Sequence, residues 1–154
     1  MADRELRAEL FAFYEAYTQT FQSAYERFAA GGVDAEPDAR DALPFYHAPC
    51  LFITPLGVAL YATEADLARH FEGIMRDMRS KRYQRTDLGE VYLTPLGSRS
   101  VLLSLAIARL DLDDTQYDEY GVTYTVVRTD GRWQVAVVNT HPKGDVLKED
   151  RGRS

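Results

Sequence analysis

Three histidines, a set of helix tyrosines and a few polar residues inside apolar strands are the groups of this chain suited to moving protons near neutral pH. His47 follows Tyr46 in an otherwise apolar stretch. Facing a cavity, it could move a proton on a bound enol or ketone while a tyrosine hydroxyl polarises the oxygen. Facing outward, it would bond a backbone carbonyl at the sheet edge. Tyr14 and Tyr17 are the candidate hydroxyl donors. They belong to an aromatic stripe at helical spacing, which serves a core more often than a ligand site, although the helix roofs the expected cavity and could send these hydroxyls inward. Phe21, Tyr46, Tyr61 and Tyr124 are the candidate walls of the site, with Asn139 and His141 as its polar contacts. A buried asparagine needs hydrogen-bond partners, and a bound carbonyl could be one. His141, before Pro142, reads first as a strand-end hydrogen bonder near the cavity floor. His70 reads as solvent-facing, and Arg109, near Asp111, as half of a surface ion pair.

Other chemistries find little support. Asp111, Asp113, Asp114, Asp118 and Glu119 form an acidic run without the glycine or spacing of a calcium loop, and they read as a solvated turn. No paired histidines suggest zinc, no glycine loop suits a phosphate, and Cys50 stands in an apolar strand as an inert core thiol. No metal and no cofactor is expected. The 154 residues carry 18 basic and 24 acidic side chains, a net charge of −6, which repels nucleic acid. The hydrophobic fraction of 45% fits one globular domain. The N-terminal residues lack a signal-peptide pattern, one cysteine allows no internal disulfide, and no apolar run is long enough to span a bilayer, so a cytoplasmic protein is expected.

The elements that must position these groups follow from periodicity. Leu6, Leu10, Phe13, Tyr17, Phe21, Ala24 and Phe28 recur at steps of three or four, predicting a helix over 3–30 that stops at Gly31-Gly32. A loop over 33–43 precedes two short strands, 43–53 and 58–62, around Thr54-Pro55-Leu56-Gly57. Thr63 with Glu64 and Asp66 reads as a capping box for a second helix over 64–79. The period then switches to two, predicting strands over 83–93, 99–112, 117–128 and 133–140 as an antiparallel meander, and 143–154 reads as a frayed polar tail. Along 120–127 both alternating faces are apolar, so the concave side is left open between Tyr120, Val122, Tyr124 and Val126 and the opposite set. Helix, two strands, helix, four strands is an α+β order. The expectation is a strongly curved antiparallel sheet of about six strands, with both helices over its concave face and a cavity between.

Phe45-Tyr46-His47-Ala48-Pro49-Cys50-Leu51-Phe52, the following Pro55-Leu56-Gly57 turn and the Thr63-capped helix resemble the early half of the nuclear transport factor 2-like superfamily, in particular its SnoaL-like branch. Gly121-Val122-Thr123-Tyr124-Thr125, Asp130 to Val135 and Thr140-His141-Pro142 resemble its closing hairpin. The resemblance spans roughly 10–142 and implies a single domain over 1–142, a cone roofed by the first helix, and a homodimer packed through the outer sheet face. Among its implied activities are isomerase, cyclase and dehydratase chemistry without a cofactor, as well as non-enzymatic carriage. Where the ketosteroid isomerases place an aspartate base, this chain has Thr54, which cannot serve as one. A tyrosine of their first helix corresponds to Tyr14 or Tyr17. The expected partner is a small apolar or aromatic molecule bearing oxygens, with His47, Tyr14 and Tyr17 as the proton-moving set; the alternative is a non-catalytic binding or dimerisation module.

Overall fold

The computed structural model describes residues 2–148, with the side chains of the first two of these left aside. Helix α1 (Ala2–Ala30) leads through a short 3-10 helix (Arg40–Phe45) into strands β1 (Tyr46–Thr54) and β2 (Gly57–Tyr61). Helix α2 (Glu64–Ser80) follows. Strands β3 (Tyr83–Leu88), β4 (Tyr92–Pro95), β5 (Ser100–Asp111), β6 (Gln116–Thr129) and β7 (Arg132–His141) complete the sheet. The capping box is present in both directions: Thr63 Oγ1 accepts from the Asp66 amide at 3.1 Å, and the Asp66 carboxylate accepts from the Thr63 amide at 3.3 Å.

The seven strands form one curved, unclosed sheet in the order β2-β1-β7-β6-β5-β3, with β4 also pairing β5. It is mixed rather than purely antiparallel, because β7 returns alongside β1 in parallel. A parallel pair needs a long crossover, which α2 and the intervening meander supply. The predicted strand over 83–93 is two strands. Between them the Gly89 amide donates to the Ala106 carbonyl at 2.8 Å, and a side chain at Gly89 would stand 3.0 Å from that same oxygen. The first strand begins at Tyr46 rather than residue 43, since Leu43 to Phe45 belong to the 3-10 helix.

Both helices cover the concave face. Leu67, Phe71, Met75 and Met78 of α2 are buried against Leu10 of α1 and against Leu103, Leu105, Val122, Val126 and Val135 of the sheet, in one continuous core. No helix is long and apolar enough to cross a membrane among the described residues.

The convex face behaves differently. On it β2 leaves Val58 and Leu60 exposed, at 69% and 65%, beside their register partners Ile53 and Leu51. Residues 143–148, expected to be frayed, instead turn back over β5 and β6. Lys143–Asp145 form a 3-10 turn, Lys143 pairs with Glu119, and the Leu147 amide donates to Ser104 Oγ at 2.9 Å. Ser104 is consequently only 1% exposed. Part of the face that the resemblance implies for subunit pairing is thus occupied by the chain's own segment, while the tail expected over 149–154 lies outside the described residues.

Candidate functional site

Between the helices and the sheet lies a cavity of about 590 Å³. Alternation on the strands decides which side chains reach it. Tyr120, Val122 and Tyr124 of β6, Ile107 and Arg109 of β5, and Val138 and Thr140 of β7 point inward, which settles the face left open by the sequence. Tyr14, Tyr17 and Phe21 enter from α1, one helical turn apart, and His70, Phe71 and Ile74 from α2. The rings pack as a web. Tyr17 meets Tyr46 edge-on at 5.5 Å and Tyr124 at 6.4 Å, Phe21 meets Phe71 at 6.1 Å, and Tyr46 meets Phe71 at 4.6 Å.

The expected tyrosines come together here. The hydroxyls of Tyr17 and Tyr46 bond each other. Burial pushes the Tyr17 phenol up to about 12 and raises Tyr14, Tyr46 and Tyr124 as well, so these hydroxyls stay protonated as donors. Tyr61 stands one layer back. It packs edge-on against Phe52 at 5.2 Å and bonds His70 instead of lining the cavity.

Three further expected placements differ. His47 lies outside the cavity lining, with Nδ1 bonded to the Pro49 carbonyl at 2.9 Å. Its segment is irregular: between Tyr46 and Leu51, β1 advances five residues while β7 advances two, so inward alternation fails there. Asn139 sits between the inward Val138 and Thr140 and therefore faces the convex side. His141 borders only an outer cavity of about 790 Å³, with Nε2 on Thr123 Oγ1 at 2.8 Å and Nδ1 on the Pro142 carbonyl at 2.9 Å.

Two groups expected at the surface take the inner places. His70 lies in the cavity wall, its Nδ1 bonded to the Tyr61 hydroxyl at 2.9 Å and its buried Nε2 without a partner. Burial holds its pKa below the ordinary imidazole value, so the ring is neutral at pH 7. Its position was legible, since it stands three residues after Leu67 and four before Ile74, on the apolar stripe itself. Arg109 makes no ion pair with Asp111. Its Nη2 donates to the Tyr120 hydroxyl at 3.1 Å and its Nε is buried without a partner, because the two-residue period of Leu105 and Ile107 carries Arg109 inward too. The Tyr117 hydroxyl, also buried, has no partner either.

Thr54 lines the cavity but bonds its own turn, accepting from the Leu56 amide at 3.2 Å. Cys50 is fully buried, and burial pushes its thiol up to about 12, a value unsuited to a nucleophile at pH 7. The acidic turn is engaged at the surface by Arg82 on Asp113 at 2.7 Å and Arg85 on Asp114 at 2.6 Å. Among the described residues no cluster of three or more histidines, cysteines or carboxylates could hold a metal ion.

The solved structures similar to this chain share this arrangement of elements. An NTF2-like protein of unknown function from Pseudomonas putida KT2440 superposes with a TM-score of 0.66 at 15% identity, covering 90% of this chain and 87% of that one. ActVI-ORFA from Streptomyces coelicolor gives 0.59 at 18% identity, with 88% and 95% covered. An NTF2-like protein with a cystatin-like fold from Novosphingobium aromaticivorans gives 0.59 at 15% identity, with 100% and 92% covered. At these identities the likeness concerns the fold. No curated protein matches this chain. The family described as NTF2-like protein (DUF6841) matches residues 8–143, and the chain belongs to that family.

Proposed function

We propose that this protein binds an apolar, oxygen-bearing small molecule in the inner cavity, and that His70, not His47, is the group able to move a proton on it. The SnoaL-like placement suggested by the motifs around Phe45 and Gly121 belongs to the same proposal. The observation that carries it is the buried, unpartnered Nε2 of His70 in an aromatic cavity large enough for a bicyclic molecule. In the tautomer whose Nδ1–H donates to Tyr61, Nε2 presents a lone pair. It can take the proton from a carbon beside a ketone, while the C–H electron pair forms the new C=C bond, the C=O π pair moves onto the oxygen and a neutral tyrosine hydroxyl donates to that oxygen. The imidazolium keeps its Nδ1–H bond to Tyr61, and the proton on Nε2 exchanges with water before a proton returns to carbon.

A carrier without catalysis is the second reading. It is favoured by one observation: no aspartate or glutamate lines the inner cavity among the described residues. A single experiment separates the two. Deuterium exchange at the α-carbons of 2-tetralone in D2O, followed by proton NMR, is expected to run faster with wild-type protein than in buffer and to fall at least about tenfold in His70→Gln. Saturable binding of 2-tetralone without any acceleration would leave the carrier.

A further inference from the structure

We infer that the molecule taken by this cavity carries a carboxylate, bound by Arg109, with its apolar body directed inward against the tyrosines and phenylalanines. This rests on the cavity reading above and adds the charge of the ligand. The first observation is one of balance. The chain is acidic overall, at −6, yet the inner cavity has two arginines in its wall and, among the described residues, no carboxylate. Arg85 is engaged elsewhere, bonded to Asp87 at 3.1 Å and to Asp114 at 2.6 Å. Arg109 is left as the uncommitted charge.

The second observation is the state of that guanidinium. It continues the inward row of Leu103, Leu105 and Ile107 and lies 5.9 Å from the Tyr120 ring centre. One Nη donates to the Tyr120 hydroxyl, but Nε is buried without a partner. Asp118, its cross-strand neighbour, influences it electrostatically without forming an ion pair, and no other carboxylate of the described residues forms one. Beside it the buried Tyr117 hydroxyl faces the same guanidinium, which can donate to it, while its own O–H has no acceptor. Buried N–H and O–H groups left without acceptors cost free energy, so two of them at one spot mark a place for an acceptor that the chain does not supply. A carboxylate fits: it accepts Nε–H and a remaining Nη–H as a fork, and can also accept the Tyr117 O–H.

The third observation is position. The inner and outer cavities share Thr54, His70, Ile74, Arg109, Tyr120 and Thr140, so Arg109 stands where they meet. Beyond the junction the outer cavity carries Asp118, Asp77 paired with Lys81, and Arg69 paired with Asp66, so it offers an anion no uncommitted cation farther out. An acidic group is therefore held at the junction and an apolar body is held inward.

The test compares two probes of one shape, naphthalene-2-carboxylate and naphthalene-2-carboxamide, by isothermal titration at pH 7.5. Wild type is expected to bind the carboxylate at least about tenfold tighter, and Arg109→Gln to bring the two affinities together. Should Arg109→Gln fail to fold, the wild-type Arg109 Nε–H resonance decides, shifting with the carboxylate and not with the carboxamide. Equal affinities in wild type, a preference that survives Arg109→Gln, or an unmoved Arg109 resonance would each overturn the inference while leaving the cavity reading standing. If neither probe binds, the cavity reading fails and this inference fails with it.

Discussion

The two faces of one sheet treat similar polar side chains in opposite ways. On the convex face the hydrogen bonds close. The Pro142 carbonyl can only accept, so His141 carries its hydrogen on Nδ1, and its Nε2 accepts from Thr123. Thr123 in turn accepts from Ser104 at 2.8 Å, and Ser104 accepts the Leu147 amide. Each donor in that run has one acceptor. On the concave face His70 Nε2, Arg109 Nε and the Tyr117 hydroxyl are buried without a hydrogen-bond partner. A histidine and its hydroxyl neighbours tie the chain end down on one side, and on the other buried polar atoms stand without a partner. Unsatisfied groups are tolerated where function needs them, and stability is recovered elsewhere.

The sharpest way to break the contrast is at Gly121, over which the His141 ring lies. A side chain there would stand 2.5 Å from that ring and 2.9 Å from the Pro142 carbonyl. The ring can swing away but the backbone oxygen cannot, so Gly121→Ala is expected to cost about 2 kcal/mol in urea unfolding and to shift the His141 imidazole resonances. A smaller loss is expected from Ser104→Ala. It strips the Leu147 amide of its acceptor and Thr123 of its donor, costing about 1 kcal/mol and raising amide exchange at Leu147.

The concave face should answer differently. Arg109→Met removes a buried charge that has no ion-pair partner and supplies an apolar side chain of similar length. Stability is expected to hold within about 0.5 kcal/mol of wild type or to rise, and a loss comparable with that of Gly121→Ala would erase the distinction between the faces. The smallest effect concerns pH. Burial lowers the His70 pKa, so the unfolded chain binds more protons than the folded one below the ordinary histidine value of about 6.5. That contribution to stability is present above this pH and is lost as pH falls through it. The slope of melting temperature between pH 7 and 5.5 should flatten in His70→Gln.

Most elements could be read from local signals. Helix α2 was written in Thr63, Asp66 and the spacing of Leu67, Phe71 and Ile74, and β5 to β7 in their two-residue alternation. The parallel β1–β7 pair could not be read, because it depends on where a long crossover returns the chain rather than on either strand. The site divides in the same way. Tyr14, Tyr17, Phe21, Tyr46 and Tyr124 stand on regular helices and strands and line the cavity, although alternation alone left the concave face of 120–127 open. His47 did not, because the register slip after Tyr46 is invisible to alternation. His70 and Arg109 were missed although their spacing placed them inward, because a charged or titratable side chain on an apolar stripe suggests an exception before it suggests a site.

The three histidines sample the molecule in three places: His70 in the cavity wall, His47 outside the cavity lining, and His141 in the closed network of the convex face. The imidazole carbon-bound proton resonances, recorded while 2-tetralone is added to wild-type protein at pH 7.5, therefore report where a ligand goes. Saturable movement of the His70 signals, with those of His47 and His141 unmoved, is the result expected of a concave ligand site. An unmoved His70, with His47 or His141 shifting or with no shift at all, would contradict it.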